Sequence, residues 1–371
     1  MMLPEKIRVI ELASVLAGPS VGMFLAELGA EVFKVENPIG GDVTRSWKLA
    51  GESAENQRPA YFCSVNWGKK SICLDLNLAE SRRQLFDLLA TADVLLTSFK
   101  PGDGVKFGLD WENLHNRFPT LVVGEISGYG PNDSRVGYDA IIQAEAGFTA
   151  MNGEPGRTYK MPVALVDVLA AHQLKSGLLL ALWNRSRDGR GRLVHVSLIQ
   201  AAIAALVNQG ANYLVGNQLP QPMGNEHPNI VPYGRPFRCA DGITLVLAVG
   251  TDKQFTALCN LLDLSSWATQ SGFSTNAARV RNREEVYTQL DQAFGNRSSS
   301  ELIAQLSELH IPFGSMNTLA EVADLPAAQA LLVEGQQMKA WRSAVFQSGQ
   351  ALLSPPPLLG EHQHLLKAQI R

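Results

Sequence analysis

The side chain best placed to do chemistry in this chain is a single carboxylate, Asp167, in the stretch KMPVALVDVLAAHQ (residues 160–173). An apolar run from Val163 to Val166 leads into it, and a segment rich in Leu and Ala follows. The pattern predicts a buried strand running into a helix, with the charge at the seam. Such a carboxylate has two readings. It caps the helix, because unpaired N–H groups and the helix dipole stabilise an anion there. Or it is a covalent nucleophile, because open α/β sheets gather ligands at the carboxyl ends of their strands. Spacing alone leaves both open.

Other candidates carry less. Of the seven histidines, His195 lies in a predicted strand, where a core or edge role suffices, and His362 and His364 sit in the tail without partners. No GxSxG elbow supports a hydrolase triad. No HExxH or carboxylate cluster supports a metal, so none is expected. The stretch AGPSVG invites a dinucleotide reading, since Glu36 lies 18 residues after Gly18 and could hold a ribose. A proline and a serine stand where the second close-approach glycine belongs, so a tight turn opening a packed helix is the better reading. That helix end could still present N–H groups to another phosphate or carbonyl.

The elements that must position Asp167 alternate. RVIEL (residues 8–12) reads as a strand, VLAGPS as a turn, and Pro19 suits a first helical position. A helix to about Leu28 and the strand EVFKVE (31–36) complete a βαβ unit of a mostly parallel sheet. SICLDL, DVLLTSF and LVVGEISGYG read as further strands, and AESRRQLFDLLAT as a helix. After Asp167 a long helix runs to about Arg185. RDGRGRLVHVSL then reads as a hairpin turn and strand, and IQAAIAALVNQGANYL as one helix. Residues 216–235, rich in Pro, Gly and Asn, read as a crossing between domains. PFRCADGITLVLAV reads as a hairpin about Asp241-Gly242. The expected division is a large α/β domain (1–215), a small α+β domain with its linker (216–325) and a C-terminal arm (326–371).

Composition agrees with two domains in 371 residues, with an ordinary apolar fraction of 46%. The net charge of −3, from 32 Lys plus Arg against 35 Asp plus Glu, argues against a nucleic-acid partner. The four cysteines (Cys63, Cys73, Cys239, Cys259) lack ligand spacing and read as buried thiols of a reducing compartment. MMLPEKIRVIEL lacks the apolar core of a signal peptide. The longest apolar run, GLLLALW (177–183), is too short to cross a bilayer. A cytoplasmic protein without a membrane partner is expected.

Several stretches taken together then resemble one family. RVIELASVLAGPSVGMFLAELGAEVFKVENPIGGDVTR, GKKSICLDLN, DVLLTSFKPGDGVKFGLDWENL, EISGYGPND with GYDAIIQAEAG, and GNEHPNIVPYGRPFRCADG follow the motif order of the class III CoA-transferases. That family includes formyl-CoA, carnitine-CoA and succinyl-CoA:dicarboxylate transferases, and α-methylacyl-CoA racemase is a relative. The resemblance covers nearly the whole chain. It implies a Rossmann-like large domain, a small domain, and an arm returning to the large one. It also implies an interlocked homodimer, with the active site between the large domain of one subunit and the small domain of the other.

The resemblance implies residues too. The family's catalytic aspartate falls in a P-x(4)-D segment, matched by Pro162 and Asp167. Its coenzyme A contacts match Leu16 and Ala17 in the first turn, Asn37 after the second strand, and Leu74, Asp75, Leu76 and Asn77. They also match Ser98, Phe99 and Lys100 in the FKPG loop, Lys106 before FGL, and Val136, Gly137, Tyr138 and Asp139. Formyl-CoA transferases carry glutamine, arginine and lysine where Leu16, Asn37 and Val136 stand. That argues against formyl-CoA and leaves Lys100 and Lys106 as the cations for the CoA phosphates. AVGTDKQF holds one glycine, Gly250, so a multi-glycine lid is not expected.

The implied activity moves CoA from an acyl-CoA donor to a small carboxylic acid, with dicarboxylates as the family-level expectation. It runs through an aspartyl mixed anhydride and an aspartyl-CoA thioester. An acyl-CoA racemase on the same fold is the alternative. Racemases of the family carry G-H-D where Gly137-Tyr138-Asp139 stands, and an ordinary tyrosine, with a pKa of about 10, is a poor base at neutral pH.

Overall fold

Six short strands form one parallel sheet whose order fixes where a ligand can sit. The computed structural model describes residues 7–345 and 351–369, so the expectation drawn from residues 1–6 lies partly outside the described residues, as does part of the C-terminal arm. The elements are β1 (Arg8–Glu11), α1 (Ala17–Glu27), β2 (Glu31–Glu36), β3 (Lys69–Cys73), β4 (Val94–Thr97), β5 (Val122–Ser127), α2 (Asp139–Glu145), α3 (Leu165–Asp188) and β6 (Leu193–Ser197). The strands run β3-β2-β1-β4-β5-β6, every neighbour parallel. Val9, Ile10, Leu95, Leu96, Val122 and Val123 are fully buried, because helices cover both faces of such a sheet. The order reverses between β1 and β4, the doubly wound arrangement in which a crevice opens beyond the strand ends. The loops leaving β1 and β4 flank that crevice.

Helix α1 lies unusually close to β1. A Cβ on Gly22 would stand 1.8 Å from Oε2 of the buried Glu11, so only glycine lets the helix pass over that carboxylate. At the far end of α1, Glu27 accepts the backbone N–H groups of Ser343 and Ala344. The arm continues along the free edge of β3, where Gly68 donates to Ser354 O and Ser71 donates to His362 Nδ1. His362 therefore has a partner that the sequence did not reveal. Its ring and backbone cover an otherwise open edge strand.

Three local expectations need correction. Val163 to Val166 is not a strand: Pro162 and Val163 form a bend, Val163 is 59% exposed, and α3 starts at Leu165. A four-residue apolar run does not distinguish a strand from the first turn of a helix. RDGRGRLVHVSL is not a hairpin, since Gly189 closes α3 in the left-handed conformation (φ 71°) and β6 pairs parallel with β5. IQAAIAALVNQGANYL is two helices, Leu198–Ala204 and Val207–Leu214.

The apolar run GLLLALW lies within α3, whose 24 residues are long and apolar enough to cross a membrane by length and composition. Val166, Ala170, Ala171, Leu174 and Leu178 of this helix are buried in the large core beside the sheet.

Residues 1–148, 160–218 and 326–371 form one compact unit, and residues 149–159 with 219–325 a second. The excursion 149–159 departs from the expected 1–215 division. It folds as a short hairpin, Gly153–Glu154 against Arg157–Thr158, and Gly153 O accepts the Gly224 N–H. In the second unit Tyr233–Arg238 and Thr244–Ala248 pair as the expected hairpin, joined by Phe313–Ser315. Its core gathers Phe237, Phe255, Tyr287 and Phe294. Gly250 donates its N–H to Gln254 Oε1, and Thr251 caps the following helix.

Candidate active site

Asp167 is the third residue of α3, behind the cap position Ala164, whose side chain caps nothing. The cap comes from another helix. Asp139, at the start of α2, accepts the Val166 N–H at 2.9 Å. The fully buried Gln143, one turn later, donates to Asp139 Oδ2 at 2.8 Å and accepts the Met161 N–H at 2.8 Å. Together they fix the approach through residues 161–164 and the first turn of α3. Asp167 itself is only 7% exposed, and its carboxylate accepts no hydrogen bond among the described residues. Burial, then the like charge of Asp139, pushes its pKa up to about 7. A cap would have been hydrogen-bonded and ordinary in acidity, so the capping reading fails at this residue.

Two cavities open on Asp167. One, of about 260 Å³, brings together Leu16, Ala17, Ser98, Phe99, Lys100, Val136, Gly137 and Tyr138 from the sequence-predicted set, with Asp167 in its wall. The other, of about 580 Å³, is lined by Leu16, Tyr138, Asp139 and Asp167, and by Trp47, Tyr61, Lys160 and Pro162. A third, of about 240 Å³, collects Asn37, Leu74, Asp75, Leu76, Asn77 and again Phe99, which borders the first. Gly137 permits this packing: a Cβ there would stand 2.5 Å from the Cα of Gly128. Lys106 lines none of the three. It pairs with Asp103 at 2.9 Å and lies 5.7 Å from the Phe107 ring centroid.

The dinucleotide reading is removed by Glu36. Its carboxylate holds Arg45 through two 2.7 Å bonds and accepts from Ser71 Oγ at 2.6 Å, so it is engaged within the fold.

Residues 5–363 match CoA-transferase family III. The chain belongs to that family. A succinate–glutarate CoA-transferase of Agrobacterium fabrum is 38% identical over 98% of this chain and 94% of its own. A succinyl-CoA:glutarate CoA-transferase of Mus musculus is 33% identical over 99% of this chain and 86% of its own. The crystal structure of a CaiB/BaiF family protein from Brucella suis superposes with a TM-score of 0.85 at 35% identity, covering all of both chains.

Several residues of the transferase's cavities were not anticipated. Arg135 lines the first cavity one position before Val136 and lies 3.7 Å from the Tyr129 ring centroid. Its charge was legible beside the missing lysine, though its direction was not. Burial and then the charge of Asp167 raise the pKa of Tyr61, which marks its closeness to that carboxylate. Trp47 meets Tyr61 edge-on at 5.0 Å, and neither carries a local motif. His195 is 3.0 Å from Ser127 Oγ, a residue of the first cavity, and lines an adjoining hollow with Glu125 whose lining does not include Asp167.

Proposed function

We propose that this transferase moves CoA between a succinyl-type acyl-CoA and a short dicarboxylic acid, with Asp167 as the covalent nucleophile. The observation that carries the reading is a buried carboxylate without a hydrogen-bond partner among the described residues, shared by two cavities. An Asp167 oxygen attacks the donor thioester carbonyl, the C–S bond breaks, and CoA leaves as thiolate, giving a mixed anhydride. The thiolate attacks the aspartyl carbonyl, and the donor acid departs as carboxylate. The acceptor carboxylate attacks the resulting aspartyl-CoA thioester and releases thiolate again. Thiolate attack on the acceptor's acyl carbon then frees the new acyl-CoA and restores Asp167. Each oxyanion needs donors, and the first turn of α1 supplies candidates, since Leu16 provides no side-chain cap to Ala17 and Gly18.

The third and first cavities, meeting at Phe99, form a path for CoA, with Lys100 as the cation along it, since Arg135 in the same wall is paired with Asp133 at 3.0 Å and Glu145 at 3.4 Å. The larger cavity would take the acid, with Lys160 in its wall available to a distal carboxylate. The named activities of the relatives favour four- and five-carbon dicarboxylates. Against the racemase, no histidine stands among the described residues lining the two cavities that hold Asp167.

An interlocked homodimer is part of the proposal. Leu180, Trp183, Ile203, Val207 and Leu214 are exposed apolar side chains on α3 and the two helices after β6, and a second subunit would cover them. A cytoplasmic location fits the free cysteines. The test is a panel of acyl-CoA donors against mono-, di- and hydroxycarboxylic acids, with products identified by mass. New acyl-CoA from succinyl-CoA and a dicarboxylate is expected. Epimerised acyl-CoA without exchange would favour the alternative.

A further inference from the structure

Val15 lines both cavities that hold Asp167, and its backbone is strained. Its φ is 71°, a left-handed conformation that a β-branched residue rarely adopts and that persists only where surroundings enforce it. Three ties enforce it. Lys34 Nζ donates to Ala13 O at 2.9 Å, Ser14 N–H donates to Ser98 Oγ at 3.0 Å, and Val15 N–H donates to Asp42 Oδ1 at 3.3 Å.

Two of the three ties end in one buried ion pair. Lys34 lies 2.9 Å from Asp42 Oδ2 and 3.0 Å from Glu11 Oε1, and Glu11 is in turn paired with Lys69 at 2.8 Å. Asp42 is itself aimed by Thr44, which donates to Oδ1 from its N–H at 3.0 Å and its hydroxyl at 2.8 Å. Asp42 N–H is held by Glu36 at 2.9 Å. Burial opposes charge on Lys34, but Glu11, Asp42 and Glu36 together raise its pKa above the usual value. A buried ion pair is weak support for stability as such, and its best-attested use is to specify one arrangement.

We propose that the Lys34–Asp42 pair is a positioning device that holds Val15 in its left-handed conformation and so sets the loop between β1 and α1 against Asp167. The pair touches no reacting atom; it acts through the loop. This rests on Asp167 being the nucleophile. With Asp42 removed, Val15 relaxes to negative φ, the loop from Ser14 to Leu16 moves, and the wall shared by the two cavities moves with it. A glycine replacing Val15 adopts positive φ without strain, so it needs the anchor less.

The test is a double-mutant cycle on the full-length enzyme with Asp42→Ala, Val15→Gly and the pair together. In the native background, Asp42→Ala is expected to lower kcat at least tenfold while KM for acyl-CoA changes less than threefold. In the Val15→Gly background, the same change is expected to lower kcat less than threefold. If Asp42→Ala does not fold, the cycle is run with Asp42→Asn, which keeps an acceptor for Val15 and leaves Lys34 paired with Glu11. A smaller kcat loss that again shrinks in the Val15→Gly background is then expected. An equal loss in both backgrounds, or a loss confined to KM, overturns the proposal. Hydroxylamine trapping at residue 167 is read in the same samples. Absent trapping in the unmodified enzyme condemns the nucleophile, whereas normal trapping with equal losses condemns only the positioning device.

Discussion

Asp139 accepts the backbone N–H of Val166 at 2.9 Å, so the helix bearing Asp167 is capped by a carboxylate from another helix. The relationship divides two roles that one acid could have combined. Asp139 stabilises the helix start, and Asp167 is released from doing so. The same contact brings a second negative charge near Asp167 and adds to the rise in its pKa.

Substitution of Asp139 separates those effects. Asp139→Ala orphans the Val166 N–H and one donor of the buried Gln143, and is expected to cost about 1–3 kcal/mol by denaturant unfolding. Asp139→Asn keeps an acceptor for Val166 but removes the charge. It is expected to cost less and to shift the acid limb of kcat/KM to lower pH. Unchanged unfolding midpoints in both variants would remove Asp139 as the cap.

The acidity of Asp167 links activity and stability with opposite signs. Its folded pKa of about 7 stands above the ordinary value of 3.8. If Asp167 is the nucleophile, its reactive carboxylate forms as pH rises through 7, and kcat/KM should climb over that range. The folded state binds the extra proton between those two values, so stability falls as pH rises from about 4 to 7 and stays reduced above. Asp167→Asn should thus be more stable than the native enzyme at pH 8, by up to about 4 kcal/mol, with the gain vanishing near pH 4. Thermal unfolding at both pH values checks this. A variant less stable at pH 8 would contradict it.

Lys100 and Lys106 should now behave differently. Lys100 borders the first cavity, whereas Lys106 is turned to Asp103. Lys100→Ala is expected to raise KM for acyl-CoA several-fold, more at low salt, where a phosphate contact is less screened. Lys106→Ala is expected to change it less than twofold. Equal effects would place both ammonium groups on the coenzyme.

The exposed apolar side chains of α3 and the helices after β6 predict assembly. Light scattering or mass photometry should give a dimer mass that persists on dilution to nanomolar protein, because interlocked subunits separate only with extensive unfolding. A concentration-dependent monomer would contradict the interlocked arrangement.

The parallel sheet was legible because its strands are buried on both faces and read as short runs of Val, Ile and Leu between turn signals. Asp167 was legible as a site only beside the other family motifs, and its neighbours show why. The residues that free it from capping, Asp139 and Gln143, lie more than twenty positions earlier and meet it only in three dimensions. Val163 and Val166 are the same residue type, yet one is exposed and the other buried, so the apolar run could not report the helix start. Nothing in EVFKVE marks Lys34 as buried, yet it is 1% exposed in an ion pair with partners on β1 and beyond β2. No local pattern announces a strained valine.

Peptide mass analysis of the enzyme incubated with succinyl-CoA and hydroxylamine tests the central claim most directly. If Asp167 is acylated in turnover, the peptide containing it acquires a hydroxamate, activity falls in step, and a well-folded Asp167→Asn variant shows neither modification nor transfer. Undiminished transfer by Asp167→Asn, or inactivation with residue 167 unmodified, would contradict covalent catalysis by this carboxylate.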